Sequence, residues 1–600
     1  MARIEAVSPA AGRVLSGGWR VDLPAAIAVA CVMVVVQAAS GFPTLHNSGG
    51  DNDSLMRLVQ IRDWLAGQGW SDLMQYRMGP GGGFLMHWSR IVDLPVAAIM
   101  VAVGTLTGSM ATGEAIAAVL WPAVLFAVAM WLLLSIARRQ YGDEAFLPML
   151  VVGGITLNFM GIFTPRALDH HNLQLVLLLA VIALLLVRSS WSAFVAGLCA
   201  ATMLAVGLET LPYVTVAGTV AALAFLVLGG AAASFSAGYG LGFAGAALVL
   251  LLATVPASSW WIAACDAYSA GLTGVAIVAG AGLAAVALTT ASRSLPVRLA
   301  GLAILAAITV AAAVTLTPAC LADPYAGLDP ELRAFWLDSV VEAQPLWRIL
   351  ERQPKLAPQN YATVLIALVL LVLEMRRRLA FGPVVMFAFL LSAFAVSVWQ
   401  VRGSTFSLTL ATVPLAGWIA LWRARAAARE AGAVLRMALT WVLSLSMAWG
   451  AAAHGIADLM DGGRQKAMEA TARKTDCYAD ADYAILASQP RTTVLAISNL
   501  GSSILANTDH RTLAGPYHRN VAGNLAALRA FMGTPEEARA IVEAQRVGLV
   551  AFCPGNGESG SLAGLADSGL MAELTRGEVP RWLEPVAGSE DQALRLYRVR

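Results

Sequence analysis

The chain has 600 residues, of which 58% are hydrophobic and 13% are charged. Soluble domains average about 45–50% apolar and about 25% charged residues, so the composition excludes a soluble globular protein. The formal net charge of +2 is too small to attract nucleic acid by bulk electrostatics, and we expect no nucleic-acid partner. The numbers indicate a polytopic membrane protein in contact with membrane lipid.

Apolar runs long enough to cross a bilayer recur along residues 21–455. A crossing helix needs about 20 such residues, because lipid offers no partner for backbone polar groups. The first run, 23–39, follows a short segment, 1–20, that we place in the cytoplasm. A signal peptide is an alternative for this run, but an uncleaved anchor is favoured. We predict about 13 crossings, the others near 115–136, 146–163, 173–187, 191–208, 211–229, 238–256, 270–290, 299–317, 360–375, 381–399, 405–422 and 434–452.

The positions of the arginines predict the orientation, since Lys and Arg of short loops mark the cytoplasmic side. If the run 94–106 lies at the interface instead of crossing, the arginine clusters of the short loops share one side. The predicted location is a bacterial inner membrane, with the opposite side in the periplasm. That side then carries the outer loops and a C-terminal segment: 41–113, 164–171, 318–358, 400–404 and 456–600.

The C-terminal segment has mixed charge and strand-like patterns at 492–497 and 547–553, separated by helical patterns. This succession is typical of a small α/β domain. Cys477 and Cys553 both lie in it, and an oxidising compartment would allow a disulfide between them. The predicted fold is therefore an all-α membrane bundle with a small extracytoplasmic α/β domain over 456–600.

Ionisable residues gather at the outer ends of the spans, whereas transporters tend to bury them in mid-membrane. Asp51 and Asp53 follow the first span, and two carboxylates there can direct oxygens toward Mg²⁺ or Mn²⁺. A polar turn with helix caps is the alternative interpretation. Asp169, His170 and His171 lie between two spans and offer further metal ligands.

Three more positions carry chemistry on the same side. Arg166 precedes the second cluster and offers a guanidinium that suits phosphate. Glu342 lies in a long outer loop, which an amphipathic interfacial helix explains equally well. Arg402 lies at the outer edge of a span, where it could also extend to the interface as a simple anchor.

The order and spacing of these segments resemble the catalytic subunit of oligosaccharyltransferase, a membrane glycosyltransferase of the GT-C class. The resemblance covers most of the chain and includes the outward C-terminal domain. Residues 339–345, SVVEAQP, look like the family's SVSEHQP segment, and 169–171 resemble its second-loop metal motif in the archaeal form. The other matching segments are 52–53 with 62–63 of the first-loop acidic motif, the stretch 80–93, and Arg402.

The resemblance implies a sugar donor carried on a polyprenyl phosphate or diphosphate, which enters from the lipid. It also implies a divalent cation, Mg²⁺ or Mn²⁺, held by Asp53, Asp169 and His171. Arg166 and Arg402 are the implied partners of the donor phosphate. The implied reaction is transfer of a sugar or oligosaccharide on the outer face of the membrane.

The acceptor side departs from the family. Glu342 would orient or deprotonate the acceptor, and Asp51 would support the metal or the acceptor. The family's WWDYG motif, which reads a protein sequon, corresponds here to 497–503, ISNLGSS, where only the glycine is kept. We therefore expect a glycan, a lipid or another non-sequon acceptor rather than a sequon-bearing protein. The acceptor-side candidates are Asn499, Gly501 and His518.

Three alternatives remain open. The first is a protein N-oligosaccharyltransferase with a divergent sequon reader. The second is a transporter or flippase for a lipid-linked glycan, against which the scarcity of charged pairs within the spans argues. The third is an O-antigen type ligase or polymerase, which needs no metal and so does not require the Asp-His-His cluster.

Overall fold

A computed structural model describes residues 15–262, 264–321, 328–461 and 476–600. Residues 1–14 of the predicted cytoplasmic segment lie outside the described residues, as do parts of the predicted segments 318–358 and 456–600. The described chain folds into a bundle of apolar helices and a C-terminal part that contains a β-sheet. The predicted fold class is confirmed.

Apolar helices coincide with most of the predicted runs and make the chain a multi-pass membrane protein. In the described ranges, nine helical segments are long and apolar enough to cross a membrane. A bent pair, Ala433–Leu443 and Ser446–Leu459, meets at 79° and makes a tenth if it is one span. The nine are Arg20–Ala39, Met110–Tyr141, Leu208–Leu228, Gly230–Thr254, Ala270–Thr289, Leu295–Leu316, Leu356–Arg377, Phe381–Trp399 and Val401–Ala427.

The predicted count of about 13 crossings is not confirmed. Three of the predicted spans form helices of 14, 17 and 17 residues: Phe146–Phe159, His171–Val187 and Ser190–Val206. At 1.5 Å per residue, 17 residues extend about 26 Å, which is less than the roughly 30 Å of a hydrocarbon core. These helices are nevertheless part of the bundle core, because buried side chains of all three pack into it.

The run at 94–106 forms a helix, Asp93–Thr107, that folds back on the helix Met110–Tyr141. Gly108 makes the reversal with a positive φ of 70°, a conformation that favours glycine. The two helices approach closely at Gly113, where a side chain would meet the carbonyl oxygen of Met100. At 15 residues the helix Asp93–Thr107 is shorter than a usual crossing, and its interfacial position stays a prediction.

The C-terminal part is built on a five-stranded sheet. Strands β3 (Thr493–Leu495), β4 (Arg511–Thr512) and β5 (Val547–Phe552) are parallel, while β6 (Leu583–Pro585) and β7 (Arg595–Val599) add antiparallel pairs in the order β4-β3-β5-β7-β6. The ribbon β1 (Met74–Gln75) and β2 (Phe84–Leu85) belongs to the first outer loop. The sheet is accompanied by the helices Gly501–Asn507, Val521–Met532, Pro535–Ala544, Gly557–Leu565 and Leu570–Arg576.

Two disulfides lie at the end of the molecule that carries the C-terminal part. The predicted bond between Cys477 and Cys553 is present and ties the start of the C-terminal part to the end of β5. A second bond, Cys265–Cys320, was not predicted, and it joins the loops before and after a pair of apolar helices. Each disulfide limits the unfolded chain and so stabilises the loops around it.

Direct contacts bring the outer loops and the C-terminal part to one end of the bundle. The amide of Ser48 donates to the Tyr478 carbonyl across 3.0 Å, and Arg62 Nη1 donates to the Ala506 carbonyl across 2.6 Å. Short polar helices lie in this region, among them Pro43–His46, Asn52–Leu65, Pro330–Phe335 and Leu346–Arg352. The candidate site residues therefore lie in a layer between the bundle and the sheet.

Candidate active site

The first acidic pair lies at the start of the helix Asn52–Leu65. Gly50 turns the chain with a φ of 92°, and Asp51 caps the helix by accepting from the Ser54 amide across 3.0 Å. Asp51 therefore acts as a helix cap, which was the alternative interpretation of the acidic pair. Asp53 lies two residues further along the chain. Its Oδ2 atom accepts a hydrogen bond from Arg402 Nη2 across 3.2 Å.

Ser54 joins this helix to the second cluster. Its buried hydroxyl oxygen accepts hydrogen bonds from the amides of Leu168 and Asp169, across 2.9 and 3.0 Å. The backbone of the second loop is thereby fixed against the helix that carries Asp53. Sequence reasoning missed Ser54, since a serine beside an acidic motif gives no signal of its own.

The second cluster is compact and half-buried. One ligand atom from each of Asp169, His170 and His171 lies within 4.8 Å of the others, which makes it a candidate metal group. Asp169 Oδ1 lies 2.5 Å from His170 Nδ1, and Asp169 Oδ2 lies 3.3 Å from His171 Nε2. Asp53 does not belong to this tight group, and its role as a third ligand stays a prediction.

Two residues behind the imidazoles, Glu209 and Gln174, set their chemical state. Glu209 Oε1 accepts from Gln174 Nε2 across 2.9 Å, so the Gln174 amide oxygen faces the other way, 3.0 Å from His171 Nδ1. His171 Nδ1 therefore carries the proton, and the lone pair is on Nε2, toward Asp169. Neither Glu209 nor Gln174 was singled out from sequence, because each lies near the end of an apolar run.

His170 is held between two carboxylates. Its Nε2 atom lies 2.7 Å from Glu209 Oε1, and its Nδ1 atom faces Asp169. Burial alone would lower the pKa of His170, but the charges of Asp169 and Glu209 outweigh it and raise the pKa to about 9. A protonated imidazole has no lone pair to bind a metal, so His171 is the better ligand of the two.

Opposing charges also shift the acids. Burial raises the pKa of Asp169, but the adjacent imidazoles and Arg402 outweigh it and hold the pKa well below its usual range. For Asp53, burial and the charge of Asp169 raise the pKa, against the opposing effect of Arg402. Carboxylates whose charges shift each other's pKa, in a cluster that is partly open to solvent, are typical of functional sites.

The residues fit a divalent cation. His171 Nε2 is buried and has no hydrogen-bond donor among the described residues, although it faces a carboxylate oxygen only 3.3 Å away. Two electron-rich atoms at that distance repel each other unless a proton or cation lies between them. One imidazole and one or more carboxylates match the ligand preferences of Zn²⁺ and Mn²⁺, and carboxylates those of Mg²⁺.

Glu342 and Arg402 meet at the same place. Arg402 Nε lies 3.6 Å from Glu342 Oε2, so the guanidinium bridges Glu342 and Asp53. The Val401 amide donates to the Gln344 carbonyl across 2.9 Å, which ties the two loops together. Glu342 is 69% exposed and open to an incoming molecule. The side chains of Ser339 and Val341, in the same motif, lie outside the described part of the chain.

Arg166 has a different environment from Arg402. Its two Nη atoms donate to the two carboxylate oxygens of Asp480, each across 3.0 Å, and Nη1 also donates to the Leu45 carbonyl. The Arg166 guanidinium therefore binds a carboxylate of the C-terminal part of this chain. The predicted contact of Arg166 with donor phosphate stays a prediction.

The acceptor-side candidates lie in two other places. The amides of Ser498 and Asn499 donate to the two oxygens of Glu558, across 3.0 and 2.8 Å, and Gly501 packs closely on the Ala514 carbonyl. His518 and Arg519 both bind Asp266. His518 Nε2 lies 2.5 Å from Asp266 Oδ2, and Arg519 donates to both carboxylate oxygens.

An array of rings connects His518 with the second cluster. The His518 ring centroid lies 4.9 Å from that of His87. The His87 centroid is 5.0 Å from that of Trp88, and the Trp88 centroid is 5.6 Å from that of His170. The Arg57 guanidinium covers the Trp88 ring at 4.6 Å. Because His87 and Trp88 belong to the segment 80–93, this segment lies beside the second cluster.

Comparison with known proteins connects this arrangement to one enzyme fold. No family model matches the chain, and no curated protein sequence matches it. Among solved structures, the chain is similar to the oligosaccharyltransferase AglB of the archaeon Archaeoglobus fulgidus, in complex with an inhibitory peptide and a dolichol-phosphate. The TM-score is 0.59 at 13% identity, over 94% of this chain and 73% of that one.

Two more structures of the Archaeoglobus fulgidus oligosaccharyltransferase agree. The apo form gives a TM-score of 0.60 at 12% identity, over 93% of this chain and 73% of that one. A complex with Zn and sulfate gives 0.57 at 12% identity, over 88% and 67%. The resemblance inferred from the motifs is confirmed for the fold. This chain therefore has the GT-C type fold of the oligosaccharyltransferase catalytic subunit.

Proposed function

We propose that this protein is a membrane glycosyltransferase that transfers a sugar or oligosaccharide from a polyprenyl phosphate or diphosphate to an acceptor. The observation that carries the proposal is the bridge from Asp53 through Arg402 to Glu342, beside Asp169 and His171. These five residues come from four separate segments, 41–113, 164–171, 318–358 and 400–404. Acids from separate segments that share one guanidinium beside a candidate metal group form a pattern that is typical of functional sites.

The cation would be held by Asp169 and His171, with Asp53 as a further ligand and Asp51 in support. When bound, a divalent cation stabilises negative charge that develops on the leaving phosphate. The protein's own part is to hold the ligands. Ser54 fixes the backbone of Asp169, and Gln174 keeps the proton of His171 on Nδ1 so that Nε2 is available.

Arg402 would bind the donor phosphate. Its side chain is 44% exposed and its guanidinium lies between two carboxylates, so a phosphate can compete for the remaining N–H groups. The similar archaeal protein was solved with a dolichol-phosphate, which supports a lipid-linked donor here. Glu342 would accept the proton of the acceptor's attacking group, or orient that group, because it is a carboxylate open to solvent beside Arg402.

We place the reaction at the periplasmic face of a bacterial inner membrane. Both disulfides lie at the end of the bundle that carries the candidate site, and disulfides persist in oxidising compartments such as the periplasm. The arginine-rich short loops favour the cytoplasm for the opposite end. For the acceptor we favour a glycan, a lipid or another group that lacks a sequon. A sequon-bearing protein remains the enzyme-class alternative, because the similar archaeal protein was also solved with an acceptor peptide containing an NVT sequon.

The test is a transfer assay on purified protein in lipid nanodiscs with a labelled polyprenyl-linked sugar and Mn²⁺. We expect Asp53→Ala, Asp169→Ala and Glu342→Ala each to remove most of the transfer. Asp338→Ala, an exposed acid in the same loop as Glu342, is the matched control and should keep it. Full activity in the three site variants, or label that crosses proteoliposome membranes without any covalent product, would reject the proposal.

A further inference from the structure

Glu342 lies on a short connecting segment, and the contacts of that segment show what holds it. We call residues 336–345 the Glu342 loop. Two amide hydrogen bonds keep its middle compact, because Gln344 Nε2 donates to the carbonyls of Asp338 and Val340 across 3.0 and 3.3 Å. The loop has no strand or long helix of its own, so its position depends on its two ends.

The end after Glu342 is fixed to the helix bundle. The Val401 amide donates to the Gln344 carbonyl across 2.9 Å, next to Arg402. This contact sets the distance between the loop and the guanidinium. It does not set the direction in which the loop leaves the bundle.

The end before Glu342 is fixed to the C-terminal part. Trp336 Nε1 donates to Ser498 Oγ across 3.0 Å, and the Trp336 ring packs against the C-terminal core. Leu332, in the preceding helix Pro330–Phe335, is 1% exposed and belongs to that core. Glu331 also accepts from Arg529 across 2.8 and 3.1 Å.

The contact surface on the C-terminal part is organised by Glu558. This carboxylate accepts from the amides of both Ser498 and Asn499, so it orders the turn that presents the Ser498 hydroxyl to Trp336. Burial raises the pKa of Glu558, against the opposing effect of these hydrogen bonds. The segment 497–503 is thus engaged with the chain's own loop and its own carboxylate.

We propose that Trp336 and Ser498 are positioning residues, through which the C-terminal part holds the Glu342 loop beside Asp53 and Arg402. This inference rests on the proposed function of Glu342 and assigns to the C-terminal part a role in placing the acceptor-side carboxylate. It also explains why 497–503 lacks the family's sequon-reading residues. The segment binds the loop, and an acceptor hydroxyl would have to displace that contact.

The test is hydrogen–deuterium exchange on the full chain in nanodiscs, which needs no substrate. Trp336→Phe keeps an aromatic six-membered ring but removes the indole N–H, and Ser498→Ala removes the acceptor oxygen. Each should speed exchange of amides 337–344 roughly fivefold, the factor expected from one lost hydrogen bond of ordinary strength. The double variant should add little to either single change, because both delete the same bond.

Matched controls are Trp347→Phe, an exposed tryptophan just beyond the loop, and Ser561→Ala, an exposed serine of the C-terminal part. Neither should alter exchange at 337–344. Unfolding of the C-terminal part would speed exchange in β5 as well, which separates it from the local effect. Unchanged exchange at 337–344 in Trp336→Phe and Ser498→Ala would overturn the proposal, and so would fully additive effects.

A second measurement connects the loop to catalysis. In the transfer assay, Trp336→Phe should lower kcat while Mn²⁺ affinity, measured by electron paramagnetic resonance, stays at the wild-type value. Equal loss of kcat and Mn²⁺ affinity would mean that the whole site is disturbed, and would contradict a role confined to the loop. If local exchange changes but Glu342→Ala transfers normally, the positioning stands and the function proposed for Glu342 fails.

Discussion

Arg402 Nη2 donates to Asp53 Oδ2 across 3.2 Å, although 349 positions of sequence separate the two residues. The bond joins the first outer loop to the start of a late membrane helix. Because Arg402 also reaches Glu342, one guanidinium connects the first acidic cluster with the carboxylate of the loop that we propose for the acceptor.

The first prediction concerns the planar guanidinium of Arg402. Arg402→Lys keeps a positive charge but loses the planar pair of donors, and we expect transfer to fall about 100-fold, as on loss of one preorganised charged donor. The measurement is kcat/KM with a labelled lipid-linked sugar. Arg425→Lys, which changes a half-buried arginine near the end of the helix Ser404–Ala427, is the control. Equal activity of Arg402→Lys and wild type would refute the phosphate role.

The second prediction concerns metal affinity. We expect His171→Ala to weaken Mn²⁺ binding, measured by electron paramagnetic resonance, by more than the roughly 10–100-fold that loss of an outer-shell partner costs. His454→Ala is the control, because this half-buried histidine lies on another helix, Ser446–Asp461, and bonds to the Gly450 carbonyl. Removal of the metal with a chelator should stop transfer in the wild type. Unaltered Mn²⁺ affinity in His171→Ala would exclude it as a ligand.

The third prediction concerns the residue behind His171. Gln174→Leu removes the oxygen that keeps the proton on Nδ1, so the neutral ring can place its proton on Nε2 and lose the ligand. We expect Mn²⁺ affinity to fall about 10–100-fold without loss of fold. A Gln174→Leu protein with wild-type affinity would show that the tautomer is set elsewhere.

The sequence predicted the class of fold, and it also named three residues whose side chains the structure brings together. Asp53, Glu342 and Arg402 were found from three separate motifs, and the structure brings their side chains together. The count of 13 spans stays unconfirmed because apolar length was the only criterion. Helices such as His171–Val187 are apolar, but at 17 residues they lie at the lower limit of length for a crossing.

What the sequence left out has a common physical cause. Glu209 and Gln174 act through side-chain hydrogen bonds between helices, and no local pattern encodes such partners. The Cys265–Cys320 bond was missed for the same reason, since 55 residues and two helices separate the two cysteines. The Cys477–Cys553 bond was predictable because both cysteines lie in the same small C-terminal α/β part.

The fourth prediction decides between two roles of Arg166. If the guanidinium mainly docks the C-terminal part through Asp480, Arg166→Gln should speed deuterium exchange in residues 476–483 and leave the donor KM unchanged. Asp480→Asn should have the same effect, and the double variant little more. If Arg166 instead binds donor phosphate, Arg166→Gln should raise the donor KM while Asp480→Asn does not.

The last prediction is a pH dependence of the contact between Asp266 and the C-terminal part. Burial raises the pKa of Asp266, but its bonds with His518 and Arg519 outweigh it and hold the pKa far below the usual value. A carboxylate with a depressed pKa stabilises the fold fully above its unfolded pKa of about 4, and this stabilisation is lost as the pH falls below that value.

Asp266→Asn should therefore lower the apparent melting temperature at pH 7, and the difference from wild type should shrink at pH 3. Asp591→Asn, at an exposed acid of the C-terminal part, should have little effect at either pH. A difference between wild type and Asp266→Asn that stays constant from pH 7 to pH 3 would show that the charge of Asp266 does not stabilise the contact.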